Sequence, residues 1–164
     1  MTLQFCPDNW TWKDAPVAPG RSVIVDIDGV LSDASTRQHY LESPRPDWRS
    51  FFDACGEDLV IDEVKRLLDL LDPELTVILL TARPHRVHHL TEAWIRHYKI
   101  RWDLLVMREF GGYEIASDFK QGSVHDLRRY GFDLEMAIED DPKNVAMFRH
   151  ERIPTLYIHS GYYE

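Results

Sequence analysis

The sequence predicts an α/β fold: a Rossmann-like three-layer sandwich with a five-stranded, mostly parallel sheet. Three observations lead there. Apolar runs of strand length alternate with helical apolar periods five times along the chain, a pattern that implies right-handed crossovers and helices on both sheet faces. Val23, Ile24 and Val25 are consecutive β-branched residues and read as a strand buried on both faces. The acidic and hydroxyl residues with chemical potential all fall at the carboxyl ends of the apolar runs, where open α/β sheets bind ligands.

In chain order, residues 1–21 form an N-terminal extension with three prolines, two tryptophans and no visible period. Trp10 and Trp12 are expected to pack this segment onto the domain, which spans 22–164. The first strand covers about Ser22 to Asp26. Residues 33–58 read as a small insert of loop and short helix near the site, the helix falling around Trp48 to Ala54. A helix from about Leu59 to Leu71 follows, with Val60, Val64, Leu67, Leu68 and Leu71 on one face and Asp58 as its N-cap. The second strand is about Thr76 to Thr81. Arg83-Pro84 lead into a helix from His85 to Tyr98, and a third strand runs from Leu104 to Met107. Gly111-Gly112 mark a loop. Phe119 to Tyr130 reads as a helix closed by Gly131, Glu135 to Ile138 as the fourth strand, and Asp141-Pro142 as cap and first turn of a helix to His150. Thr155 to His159 is the fifth strand.

The 164 residues suit one domain, long enough to bury about 70% of the surface its unfolded chain exposes. The hydrophobic fraction of 44% and charged fraction of 29% are those of a globular protein. A net charge of −9 argues against a general nucleic-acid coat, while a few local arginines can still grip a strand end. Cys6 and Cys55 are too few for a disulfide framework and read as reduced thiols. No apolar run approaches the ~18 residues of a membrane span, and the N-terminus has no signal core. A cytoplasmic protein is the expectation.

Chemistry concentrates first in Asp26-Ile27-Asp28-Gly29. Two residues apart in a continuing strand, the carboxylates point to one face, and Gly29 lets the chain leave the sheet sharply. Carboxylates that close want a cation or a shared proton, and Mg²⁺ is the common partner in phosphate chemistry. Alone, this motif describes no more than a strand ending in a polar turn. Three further pieces follow in order: Thr81 after Val77-Ile78-Leu79-Leu80, Lys120 in Asp118-Phe119-Lys120, and Glu139-Asp140 after Met136-Ala137-Ile138.

Together these resemble the four motifs of the haloacid dehalogenase-like phosphatases, from about Ser22 to the C-terminus. The resemblance implies a sheet order of 5-4-1-2-3. It makes Asp26 the nucleophile that forms an aspartyl-phosphate, and Asp28 the general acid and base. Thr81 would bond a phosphoryl oxygen, and Lys120 would neutralise charge and hold Asp26. Mg²⁺ would be bound by Asp26, by Asp28 through its backbone carbonyl, and by the fourth-motif acids Glu139 and Asp140, with Asp140 the direct ligand and Asp141 the helix cap.

Arg37, Arg83 and Arg108 are the candidate substrate-binding residues, since arginine recognises phosphate bidentately. Their positions narrow the resemblance to the 3′-phosphatase domain of phage-type polynucleotide kinase-phosphatases; Val30 departs from the threonine usual after the glycine, and no Walker-type loop is present. His85, His88 and His89 read as helix-surface residues, and Tyr157, Tyr162 and Tyr163 as packing of the C-terminal tail. The free stretches around the site fall short of the ~40 residues a cap domain with its own core needs, so the site is expected to be open. An open site admits a large molecule's end, hence the expected substrate: a 3′-terminal phosphate on DNA or RNA. The alternatives are a nucleotide or small-metabolite phosphatase whose site an oligomer partner covers, and a non-catalytic phosphoryl-responsive binding module.

Overall fold

A computed structural model describes residues 5–109 and 115–163; the expected Gly111-Gly112 loop lies outside them. The strands are β1 (Trp10–Trp12), β2 (Arg21–Val25), β3 (Ser32–Asp33), β4 (Leu59–Val60), β5 (Thr76–Pro84), β6 (Leu104–Arg108), β7 (Asp133–Glu139) and β8 (Thr155–Tyr157). The helices are α1 (Trp48–Asp53), α2 (Asp62–Leu70), α3 (His88–His97), α4 (Ala116–Tyr130) and α5 (Pro142–His150), with a 3-10 turn at Ser35–Leu41.

The main sheet has six strands in the order β1-β6-β5-β2-β7-β8. The five parallel strands keep the expected order, with β2 central between β5 and β7. The sixth is a correction: β1 adds antiparallel to β6, Trp10 opposite Val106. Trp10 is buried and packs against the half-buried Trp12 and against Tyr130, ring centroids 5.8 and 5.4 Å away, so the packing of two indoles fixes a strand too short to show a period.

Two cores flank the sheet. One joins Val23, Val25, Leu79, Leu105 and Met107 to α2 and α3 residues such as Leu68, Trp94 and Ile95. The other joins Ile24, Ile78, Leu80 and Val106 to Val124, Leu127 and Phe148 of α4 and α5. Alternate residues of one strand thus feed opposite cores, which is why the strands read as continuous apolar runs. The expected helix from Leu59 is shorter. Leu59–Val60 instead pairs with β3, α2 begins at Asp62, and Ile61 occupies its N-cap position without a side-chain bond. Asp58 is not a cap; its carboxylate turns inward. Asp141 does cap α5, accepting from the Lys143 amide at 2.9 Å, and Gly131 closes α4 at φ +111°. Between β3 and β4 there are a 3-10 turn, the six-residue α1 and a second short turn. No helix among the described residues is long and apolar enough to cross a membrane.

Candidate active site

β2 ends at Val25, and its hydrogen bonding continues one residue further, the Asp26 amide donating to the Ile138 carbonyl at 3.0 Å. This fixes Asp26 beside the end of β7, where Glu139 and Asp140 stand. α4 runs antiparallel beneath and delivers Lys120, which is 1% exposed. Its ammonium donates to Asp26 Oδ1 at 3.0 Å and to Glu139 Oε2 at 2.7 Å. Burial opposes the Lys120 charge, but the two carboxylates outweigh it and hold the pKa above its ordinary value.

The three acids differ in what they already bond. Glu139 Oε2 takes Lys120, and Oε1 accepts from the amides of Asp140 and Asp141 at 3.0 and 3.1 Å. Burial would raise the Glu139 pKa, yet Lys120 and these donors lower it. Asp140 is 0% exposed and neither carboxylate oxygen meets a donor in hydrogen-bond geometry. Its pKa is pushed up to about 7 by burial first and Glu139 next, with the nearby Ser160 hydroxyl pulling the other way. Asp26 is also raised, by burial and then by Glu139. Ligand oxygens of Asp26, Glu139 and Asp140 lie within 4.8 Å of one another. A buried carboxylate with no donor is costly unless it holds a cation. Clustered hard oxygens suit a small divalent ion, so these residues fit Mg²⁺. Asp140 has the open lone pairs; Glu139 is occupied in anchoring Lys120 and the chain turn.

Gly29 makes the cluster sterically feasible. It lies at φ +81°, and a Cβ there would sit 2.0 Å from Asp140 Oδ2. The Gly29 amide donates to the Ser32 carbonyl at 2.8 Å, closing the turn that carries Asp28 out of the sheet.

The Asp28 carboxylate stands in a different environment. Arg83 donates to it from Nε at 3.1 Å and from Nη2 at 2.6 Å, and Arg37 Nη2 donates to its Oδ1 as well. Arg37 also reaches Asp58 through Nε at 2.9 Å and the Phe51 carbonyl at 3.1 Å. Arg83 Nη1 meets Thr91 Oγ1 at 3.2 Å, and Ser32 donates to Asp58. Two arginines and two aspartates thus form a charge-balanced network. Burial alone would raise Asp28, but Arg83 and Arg37 together bring it down to about 2.

This network sets where two of the candidate arginines point. Arg37 and Arg83 are 1% and 0% exposed, with guanidinium groups turned onto Asp28 and Asp58 rather than onto open surface; two buried cations need buried anions beside them. The Asp28 carboxylate is bound to these arginines and is not among the clustered acids. Asp58 is the residue the sequence reading missed. Its place just before an apolar helical period looks like a cap, and no local signal marks a partner 21 residues away.

The remaining candidates are placed as follows. Thr81 is buried within β5, which runs on to Pro84, and its Oγ1 accepts from the Arg83 amide at 3.1 Å, leaving its hydroxyl proton to donate. Arg108 ends β6, its guanidinium carbon 5.7 Å from the Phe119 ring centroid. His88 Nε2 lies 3.0 Å from Thr11 Oγ1, tying α3 to β1, and its ring stacks on His85 with centroids 4.9 Å apart. Tyr162 donates to Asp33 Oδ1 at 3.2 Å, and Tyr157 lies 3.2 Å from His159 Nδ1.

The family model described as the polynucleotide kinase PNKP phosphatase domain matches residues 20–163. Two structures of a Pnkp1/Rnl/Hen1 complex, one described as an RNA repair complex, contain chains similar to this one at 25% and 26% identity, each with a TM-score of 0.71. The likeness covers 91% of this chain in both cases but only 45% and 49% of those chains, so this chain spans less than half the length of each. A haloacid dehalogenase-like family hydrolase from Streptococcus pneumoniae shares the fold at 16% identity and a TM-score of 0.58, with 83% of both chains covered. No curated protein matches the sequence.

Proposed function

Because the chain belongs to the family of the polynucleotide kinase PNKP phosphatase domain, and so is a phosphatase of the haloacid dehalogenase type, we propose that it removes terminal 3′-phosphates from nucleic acid with Mg²⁺ as cofactor. The observation that carries the chemistry is the pair of buried Asp140 oxygens without a donor, clustered with Asp26 beside Lys120. Asp26 and Asp140 would hold the metal, with Glu139 as the support that keeps Lys120 and the chain turn in place. The ion would supply positive charge against the phosphoryl oxygens and keep both carboxylates ionised.

Asp26 is the nucleophile. Its Oδ1 shares Lys120, which limits its charge at rest and accompanies the phosphoryl group through transfer. Thr81 directs its hydroxyl proton to a phosphoryl oxygen. Arg37 and Arg83 hold Asp28 ionised and in place. In that state Asp28 is a ready base for the water that hydrolyses the aspartyl-phosphate. To protonate the leaving oxygen it must first receive a proton. The phosphate monoanion, whose last proton leaves near pH ~6, can carry one in.

The elements above the sheet support this substrate class. A 3-10 turn, α1 and a second short turn are all that the chain places between β3 and β4, which leaves room for a strand end. The similar chain in the structure described as an RNA repair complex supports a nucleic-acid end over a metabolite. The test is kcat/KM for a 3′-phosphorylated oligonucleotide against the matching 3′-mononucleotide. A clear preference for the oligonucleotide is expected; a preference for the mononucleotide would refute the strand-end assignment and leave the phosphatase intact.

A further inference from the structure

α1 enters the chemistry above only through the Phe51 carbonyl that accepts from Arg37, yet it carries a built surface. Trp48 is 52% exposed. Its ring stacks on Phe52 with centroids 6.0 Å apart and planes 26° apart, and meets Phe51 edge-on at 5.7 Å. Trp48, Arg49, Phe52, Pro84 and Arg86 line a cavity of about 490 Å³, within the usual range for small organic groups. A larger cavity of about 820 Å³, among Lys13, Leu71, Lys99 and Trp102, lies by the segments that lead into β5 and β6, at the sheet's other end from Asp26.

The position of the smaller cavity is informative. The Arg37 guanidinium carbon lies 4.3 Å from the centroid of the Phe51 ring, and Pro84 directly follows Arg83. Both arginines grip Asp28, the group assigned to the leaving oxygen. The cavity therefore opens beside the leaving-group side of the site. Arg86 is anchored there by donating to Asp53 and to the Arg49 carbonyl at 3.1 Å. The Arg49 side chain is 86% exposed, its Nε 3.9 Å from Asp53. Asp53 offsets one of the two positive charges, so recognition at this cavity rests on stacking more than on charge.

We infer that this cavity seats the base of the nucleotide bearing the terminal phosphate, stacked on Trp48. The inference rests on the strand-end reading and assigns the specificity-determining surface for it. Every base has a π-face, so such a subsite accepts any base sequence.

The experiment measures KM and kcat for wild type, Trp48→Ala and Trp48→Phe on three substrates: a 3′-phosphorylated oligonucleotide, the same strand with its last nucleotide abasic, and an aryl phosphate. Trp48→Ala raises KM on the normal strand about tenfold or more, with a smaller effect on the aryl phosphate and partial rescue in Trp48→Phe. The abasic strand shows the higher KM already in wild type, and Trp48→Ala adds little to it, because the two changes remove one interaction. Trp48→Leu, which keeps apolar cover over Phe52, replaces the alanine variant if that fails to fold. Equal factors on strand and aryl phosphate overturn the inference. So does an unchanged strand KM, the result expected if the surface instead docks a protein. If wild type prefers the oligonucleotide and Trp48→Ala does not alter its KM, the cavity assignment alone fails. If wild type prefers the mononucleotide, the strand-end reading fails and this inference with it.

Discussion

Asp140 is a buried aspartate and Asp28 a partly buried one near the same turn of chain, and their surroundings push them in opposite directions. Neither Asp140 oxygen meets a donor in hydrogen-bond geometry, and burial raises the group to about 7 despite the nearby Ser160 hydroxyl; Asp28 has two guanidinium groups and falls to about 2. Asp140→Asn is expected to weaken Mg²⁺ binding by at least tenfold in calorimetry, and Asp141→Asn, which touches only a helix cap, to leave it near wild type. For Asp28 the folded pKa lies below the unfolded one, so its contribution to stability is fully present above pH ~4 and is lost as pH falls through about 2; the shift corresponds to roughly 2 kcal/mol. Denaturant unfolding of Asp28→Asn should accordingly be less sensitive to pH than wild type in that window. In turnover, Asp28→Asn should suffer most on poor leaving groups, and the wild-type kcat/KM for strand ends should decline above pH ~6 as the monoanion disappears. Aryl phosphates, which need little proton donation, test that assignment as the control profile. The order Asp26, Asp28, Thr81, Lys120, Glu139 and Asp140 is readable in the sequence because the acids and Thr81 end or follow apolar strand runs and Lys120 lies near the start of the helix that precedes β7. The pairing of Arg37 and Arg83 with Asp28 and Asp58 is not, since arginines near a phosphate motif look alike whether they face substrate or brace an acid, and Asp58 lies 21 and 25 residues from its partners.

At the scale of elements, the turn after β2 has the tightest tolerance. Gly29→Ala must accommodate a positive φ and a Cβ within 2.0 Å of Asp140 Oδ2. Backbone strain of this kind costs about 1–3 kcal/mol, and relief by moving Asp140 breaks up the acid cluster. The variant should lose Tm and Mg²⁺ affinity together, which thermal unfolding with and without metal will reveal. β1 supplies the opposite case, an element that stabilises from the far edge. Trp10→Ala removes a buried indole and should cost about 3–5 kcal/mol in denaturant unfolding, while the folded fraction keeps its kcat. The long strands and α4 and α5 are legible because apolar runs, the Asp141-Pro142 cap and Gly131 mark them. β1 and β4 are not, because strands of three and two residues are defined by their partners.

The whole molecule carries a net charge of −9, and its activity requires an anionic substrate to approach. The balance is local. Arg37 and Arg83 are neutralised by Asp28 and Asp58, Lys120 by Asp26 and Glu139, so net charge says little about the field at the site. The alternation of strands and helices prescribed the parallel sheet, and the resemblance of the four motifs supplied its order and hence the edge at which they meet. The central claim is that Asp26 receives the phosphoryl group of a strand end. The direct measurement uses an oligonucleotide with a radiolabelled 3′-terminal phosphate, incubated with Mg²⁺ and quenched in acid. The account predicts an acid-stable, alkali-labile label on the peptide containing Asp26, enriched in Asp28→Asn, where hydrolysis of the intermediate is slowed, and absent in Asp26→Asn. Release of labelled phosphate by Asp26→Asn at the wild-type rate, with no label on the protein in any variant, would contradict it.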